Sequence, residues 1–362
     1  MNSSQELHPI VASPLVSIIV LNWNGEKYLP RCLDAIAKQT FTDYEVIIID
    51  NASTDHSVDH VEQHWPGFQV VRLDENLGFA IANNLGAKIA RGNWVALLNN
   101  DAYPRPEWLE NMMKAIQNYP MYSFFASCIL QADDPDLIEN AGDIYHISGL
   151  AWPRRRNAIY NETPLETDEV FSACAAAALY KREAFLQVGG FNEKFFSHHE
   201  DVDLGFRLRL QGYRCLFVPE AVVLHVGSAS FGFQSDKVVY QVNRNLVWSF
   251  VSNMPGWLFW KYLPAHIISN LIFLLYYTFR HRASAIWRAK FDALRGLPAA
   301  IEARKLIQKN RKVKDAEISQ AMDHNWLNPY TLGNNAERIR RLGRALGLDP
   351  QHEARLNQQD ER

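Results

Sequence analysis

Two histidines and three acids crowd into six residues, His198, His199, Glu200, Asp201, Val202 and Asp203. Leu204, Phe206, Leu208 and Leu210 continue as an amphipathic helix, so the acids stand in its first turn. Capping a helix dipole takes one acid. Like charges this close repel unless a cation, a substrate hydroxyl or a basic neighbour offsets them. A carboxylate here can take the proton of an attacking hydroxyl, an effect worth about 10²–10⁴ in rate.

A second cluster ends the run "WVALLNNDAYP" (94–104), where an apolar strand stops at Asn99, Asn100 and Asp101. A divalent metal at a strand end usually finds two carboxylates, and here there is one acid beside two amides. The cluster reads as a depleted metal site, as a plain turn, or as a site that takes its second ligand from elsewhere. His225 closes another apolar run in "PEAVVLHVGS". Imidazole at such a place commonly holds a backbone partner, and it is also a legitimate metal ligand.

Weaker signals lie at two more sites. Asp50 opens "DNASTD" and can accept hydrogen bonds from a base or ribose. An Asx turn with Ser53 or Thr54 as N-cap explains the same residues. In "NLGFAIANNLG", Asn76 and Gly78 precede a helix that carries Asn83 on its opposite face, and Gly78 permits close backbone approach to a ligand.

The elements needed to position these residues are legible. "VSIIVLN" (16–22), "YEVIIID" (44–50), "FQVVRL" (68–73) and "WVALLN" (94–99) are apolar runs suited to strands buried on both faces. Helices fit from Glu26, between Thr54 and Trp65, and between Phe79 and Arg91. Strand and helix alternate with short links, which predicts a doubly wound, largely parallel α/β sheet with Asn22, Asp50 and Asn99–Asp101 at its carboxyl edge. There is no GxGxxG after the first strand and no GxxxxGK[ST] anywhere, so dinucleotide-dependent dehydrogenases and P-loop enzymes are disfavoured.

The 362 residues, 48% hydrophobic and 21% charged, suffice for a large packed domain plus an appendage. A net charge of −3 argues against a nucleic-acid partner. Cys32, Cys128, Cys174 and Cys215 are widely spaced, which suits free thiols in a reducing compartment. The opening "MNSSQELHPIVASP" has neither a basic n-region nor an apolar h-region, so no secretory signal is expected. The divisions predicted are a flexible tail (1–14), a catalytic domain (15–235) and a separate helical region (236–362). Between Arg280 and Lys314 eleven Lys/Arg face two acids, Asp292 and Glu302, directly after the apolar stretch Trp257–Phe279. Residues 257–314 thus have the composition of a membrane-surface element, although a core helix would also fit the apolar part.

Four blocks together resemble glycosyltransferase family 2: "VSIIVLNWNG…EVIIIDNASTD", "NLGFAIANNLGAKIARGNWVALLNND", "GGFNEKFFSHHEDVDLGFRLRLQGYR" and "VVLHVGSAS". The chain is most similar to rhamnosyltransferase-like members of bacterial cell-surface polysaccharide assembly, over roughly residues 15–250. This resemblance implies a GT-A fold with a C-terminal helical extension, and inverting, metal-dependent transfer from a nucleoside-diphosphate sugar to a glycan or lipid-linked glycan. It favours dTDP-rhamnose, with UDP-sugars as alternatives. The cysteine usage and the 257–314 segment together predict a cytoplasmic enzyme, peripheral on the cytoplasmic face of the inner membrane. By position the resemblance implies nucleotide-sugar contacts for Asn22, Asp50, Asn76, Gly78, Asn83, Asn99 and Asn100. Asp101 and His225 become the ligands of Mg²⁺ or Mn²⁺, and Asp201 the catalytic base, supported by Glu200 and Asp203. "WPRRRN" (152–157) reads as a basic lid or a solvated loop. The competing readings are a nucleotidyltransferase, which the sequence "NWNGEKYLP" after the first strand disfavours, and a non-catalytic nucleotide-sugar-binding scaffold.

Overall fold

Along the first strand Ile18 and Val20 turn to one side and Ile19 to the other, and each belongs to a different buried core. The same alternation runs through Val46/Ile48 against Ile47/Ile49 and through Ala96/Leu98 against Val95/Leu97. A strand with period-two side chains that are apolar on both sides can be covered only by helices on both faces. The computed structural model, which describes residues 13–59, 61–227, 235–326 and 328, has that layering.

Strands β1 (Val16–Asn22), β2 (Tyr44–Asp50), β3 (Gln69–Arg72) and β4 (Trp94–Asn99) pair in parallel in the order 3-2-1-4. The links carry α1 (Leu29–Ala37), α2 (Val61–His64) and α3 (Gly78–Ile89). Two differences from expectation stand out. β3 is a half-exposed edge strand rather than a third buried one. The helix expected over 54–65 shrinks to α2, because Asp55 accepts from the backbone N–H of both Glu26 and Ser57 and holds the segment as a loop.

Beyond β4 the sheet becomes mixed. β5 (Ala102–Pro104) and α4 (Trp108–Asn118) lead to β6 (Phe124–Gln131), β7 (Ile138–Asn140), and a small two-stranded sheet of β8 (Asp143–Tyr145) and β9 (Ala151–Pro153). β10 (Asp168–Val170), β11 (Ala177–Lys181), α5 (Arg182–Gln187), α6 (Glu200–Leu210) and β12 (Cys215–His225) follow. The full order is β10-β12-β6-β11-β4-β1-β2-β3, and β11 is antiparallel to both of its neighbours. Two pairings matter for function. β11 beside β4 puts Ala176 next to Asn99, and β5 against β12 sets His225 opposite Ala102.

The C-terminal helices are α7 (Asp236–Asn253), α8 (Gly256–Tyr277), α9 (Ala283–Arg295), α10 (Leu297–Lys309) and α11 (Asp315–Ala321). The sequence reading set this region apart, whereas the side chains join it to α6. Val202, Phe206 and Leu210 of α6 share one core with Phe250, Met254, Leu258 and Tyr262. Asn245 donates to the carbonyls of Phe195, Ser197 and His198, which fastens α7 to the loop before α6. Residues 1–12 of the expected tail, and those from 329 onward, lie outside the described residues.

Candidate functional site

A cavity of about 410 Å³ opens at the carboxyl edge of the parallel strands, and Asn99, Asn100, Asp101, His225, Glu200 and Asp201 all line it. The chain reaches this arrangement through three local devices.

The first is an amide relay at the strand ends. Asn100 donates to Asn22 Oδ1 at 2.8 Å, and Asn22 Nδ2 donates to Asp50 Oδ1 (3.2 Å) and Ser57 Oγ (2.8 Å). Asn22 and Asp50 are buried behind the cavity wall and do not line it. Ser53 donates to Asp50 Oδ1 instead of capping a helix. Gly25 runs against this relay: a Cβ there would lie 2.1 Å from Asn22 Oδ1 and 2.3 Å from Asn100 Nδ2. The neighbour of Asp50, Asn51, does line the cavity; it donates to Asn76 Oδ1 at 2.9 Å.

The second device is the pair Asp101–His225. Val226 N–H donates to Asp101 O at 3.0 Å, and His225 Nε2 then lies 3.2 Å from Asp101 Oδ1. Glu139 Oε2 stands 3.0 Å from His225 Nδ1. Burial works to lower the imidazole's pKa, but the charge of Glu139 and the bonds to Asp101 and Glu139 outweigh it and lift the value to about 10. A carboxylate on Nδ1 fixes the ring and leaves Nε2 as the ligand atom, which is how metal-binding histidines are usually oriented. The donor set therefore fits a hard or borderline divalent ion held by one carboxylate and one imidazole. Among the described residues no three His, Cys, Asp or Glu side chains are grouped to hold an ion by themselves. The remaining coordination falls to substrate oxygens, as Mg²⁺ and Mn²⁺ sites commonly allow.

The third device is the turn into α6. Phe196, His198 and His199 all have positive φ (65°, 66° and 71°), a cost that non-glycine residues bear only where surrounding contacts over-determine them. Here the Phe196 carbonyl accepts from Phe79 and Ala80 at the start of α3, and Asn245 holds the next carbonyls. Asp201 Oδ2 accepts from Ala175 N–H at 3.3 Å and its Oδ1 from Val202 N–H at 2.8 Å. Burial raises the Asp201 carboxyl and these backbone bonds offset it only in part. Glu200 is 6% exposed, and its Oε2 has no hydrogen-bond partner among the described residues. Burial first and the Asp201 charge second push Glu200 well above the usual range. Burial likewise depresses His198 and His199 to about 4, so both imidazoles are neutral near pH 7.

Residues 17–189 match the family model described as Glycosyl transferase family 2. That segment carries the signature of glycosyltransferase family 2. The chain is 29% identical over 241 residues to the N-acetylglucosaminyl-diphospho-decaprenol L-rhamnosyltransferase of Mycobacterium tuberculosis, a match spanning 60% of this chain and 78% of the relative. It is also 29% identical over 235 residues to the O-antigen biosynthesis protein RfbC of Myxococcus xanthus, spanning 62% of this chain but 18% of that protein. Among solved structures it resembles GalNAc-T7 with UDP, GalNAc and Mn²⁺, at 19% identity and a TM-score of 0.55, covering 66% of this chain and 48% of that one. That likeness shows the GT-A-like fold.

Besides Asn22 and Asp50, which lie behind the cavity wall, three more of the family-derived assignments take a different place in this glycosyltransferase. Asn83 does not line the cavity; its amide donates to the Phe79 carbonyl at 3.0 Å within its own helix. Asp203 faces away, bonded to Arg207 at 2.8 Å and to Asn253 at 2.7 Å, so it anchors α7 rather than supporting the acids. Gly78 lines the cavity, but the close approach it allows is to a side chain: a Cβ there would meet the Phe196 ring at 2.6 Å. Of the three arginines in 154–156, Arg156 lines the cavity while Arg154 is held by Asp168 at 2.8 Å. Glu139, Asn51 and Phe196 are among the lining residues that sequence reasoning missed. Glu139 sits in an unremarkable "LIENAG", and only its pairing with a histidine 86 residues away marks it.

Proposed function

We propose that this glycosyltransferase moves a sugar from a nucleoside-diphosphate donor to a hydroxyl of a glycan or lipid-linked glycan, with inversion at the anomeric carbon. One observation carries the reading: a single cavity holds the Asp101–His225 pair and the acids Glu200 and Asp201 on its walls. A diphosphate needs the first and a nucleophilic hydroxyl needs the second.

Asp201 accepts the acceptor's hydroxyl proton. The acceptor oxygen forms its bond to the anomeric carbon as the bond from that carbon to the diphosphate oxygen breaks, and the electron pair leaves with the diphosphate. The raised Asp201 carboxyl makes a stronger base than an exposed aspartate. Glu200, with a buried unpartnered oxygen, suits a hydrogen bond from a second acceptor hydroxyl. Asn51 and Asn76 offer amides to the nucleoside side of the donor, and Arg156 offers charge to its phosphates. Asp101 and His225 would hold Mg²⁺ or Mn²⁺, and a bound ion would neutralise charge on the leaving diphosphate.

The relative that acts in L-rhamnosyl transfer favours dTDP-rhamnose as donor and a polyprenyl-diphosphate-linked sugar as acceptor in surface-polysaccharide assembly. The test is a panel of dTDP-, UDP- and GDP-sugars, measured for binding and hydrolysis with Mg²⁺, Mn²⁺ or EDTA. Metal-dependent binding of dTDP-rhamnose with turnover supports the reading. A UDP-sugar in its place replaces the donor, and binding of every donor without turnover on any acceptor supports a scaffold instead.

A further inference from the structure

Helix α8 is apolar on its outward side as well as its inward one. Its inward positions are Leu258, Tyr262, Ala265, His266 and Ser269, and His266 Nδ1 donates to the Ser148 carbonyl at 2.7 Å with its ring stacked 4.0 Å from that of Phe250. Its exposed stripe is Trp257, Trp260, Ile268, Leu271 and Leu275, continued by Phe279 just past its end, with Trp257 70% and Phe279 80% exposed. These positions fall within one side of a helical wheel, and the stripe runs about 33 Å at 1.5 Å per residue. A water-facing helix keeps its apolar residues inside. Here a second apolar stripe is outside, which marks an interaction surface.

The chain then turns back. Arg280 and His281 leave helical geometry (His281 φ 59°), and Lys290 of α9 reaches Asn270 of α8 at 2.6 Å. Helix α9 adds exposed Trp287, Phe291 and Leu294. The surrounding charge is mainly positive. Between Asp236 and Asp292 the chain has seven Lys/Arg and no acid, and Lys261, Arg280 and Arg288 are exposed. The neighbouring acids are engaged: Asp236 pairs with Arg282, Asp292 accepts from Tyr240, and Asp315 accepts from the Trp257 N–H. Aromatic side chains at both ends of an apolar stripe, bordered mainly by cations, complement an interface of acyl chains beneath anionic headgroups.

We propose that the outer face of the α8–α9 hairpin lies immersed in the interfacial layer of an anionic lipid bilayer, parallel to its plane. Gly256–Arg295 is long and apolar enough to cross a membrane. It does not cross, because its inner side is fastened to residue Ser148 of the sheet domain by His266 and to Asn243 of α7 by Lys290. Immersion stops where those contacts begin.

This inference does not rest on glycosyl transfer, since vesicle binding is read without donor or acceptor. The experiment is flotation of the full chain with vesicles of phosphatidylcholine alone or mixed with phosphatidylglycerol, alongside quenching of tryptophan fluorescence by brominated lipids. The protein should float with the anionic vesicles, be quenched by shallow bromines, and be released by high salt or an alkaline carbonate wash. The double variant Leu271→Glu/Leu275→Glu should lose at least about ten-fold in partitioning. Its unfolding temperature should stay unchanged, because both positions are exposed. Equal flotation of wild type and variant, or none for wild type, overturns the proposal. Retention after carbonate means a spanning helix and also overturns it. So does light scattering that finds a wild-type dimer and a monomeric variant, because the face would then belong to a second copy.

Discussion

The carbonyl of Phe196 accepts the backbone N–H of Phe79 at 2.7 Å, so the loop that leads into Glu200 and Asp201 is fastened to the helix that starts at Gly78 on the other side of the cavity. The proposed donor and acceptor sides are therefore one mechanical unit, with Phe196 held in the left-handed region and its ring laid against Gly78.

Gly78→Ala tests that unit. Gly78 has φ +82° and its added Cβ would strike the Phe196 ring, so the variant should lose about 1–3 kcal/mol in urea unfolding and most of its turnover. Gly67→Ala is the comparison, with φ +101° and nothing within 4 Å of the new Cβ. It should lose stability through backbone strain alone and keep its kcat. Equal loss of turnover in both would remove Phe196 from the argument.

The two acids Asp201 and Asp203, two residues apart, should fail in different assays. Asp201→Asn should bind donor normally and lose about 10²–10⁴ in kcat. Asp203→Asn breaks a buried pair with Arg207 and should cost about 3–5 kcal/mol in stability, while the folded fraction retains its turnover. Isothermal titration with donor and urea denaturation, run on both variants, separate the two roles.

The pH dependence of turnover has a definite sign. In the proposed mechanism Asp201 works as the carboxylate, and burial raises its pKa against the partial relief of two backbone N–H groups. kcat/KM should rise with pH through a value above the ordinary aspartate range and level off once the carboxyl is ionised. An acidic limb centred near the ordinary aspartate value would mean that Asp201 is solvated in the working enzyme.

Glu139→Gln should leave the fold intact and weaken activation by Mn²⁺ about 10- to 100-fold, because the carboxylate that orients His225 is lost. The measurement is the Mn²⁺ concentration for half-maximal turnover, with EDTA-treated enzyme as the baseline. An unchanged half-maximal concentration would mean that His225 does not serve the metal.

Lys290 should make stability rise with pH. Burial pushes its ammonium down to about 7, against an unfolded value near 10.4, so between these values the unfolded chain binds the extra proton. Unfolding free energy should therefore climb from about pH 7 toward pH 10, by at most about 1.4 kcal/mol per pH unit. Lys290→Met should flatten that climb. Urea midpoints at pH 7 and 9.5, wild type against variant, decide it.

The sequence alone determined the parallel strands β1, β2 and β4 and the helix of acids at 200–203, because period and composition are local properties. It also marked each strand-end polar residue and the apolar segment 257–279, but not which way that segment faces. It did not determine which of those residues meet. The register of β5 against β12 carries His225 to Asp101 across 124 positions, and the antiparallel insertion of β11 beside β4 brings Ala175, and with it Asp201, to the same edge. Those pairings are long-range backbone hydrogen bonds with no local signature. The same is true of Asp203, whose place in an acidic triplet suggested a site role until Arg207 and Asn253 turned it inward. Glu139 was invisible for the opposite reason: an isolated glutamate has no pattern, and only the fold supplies the imidazole that gives it a function.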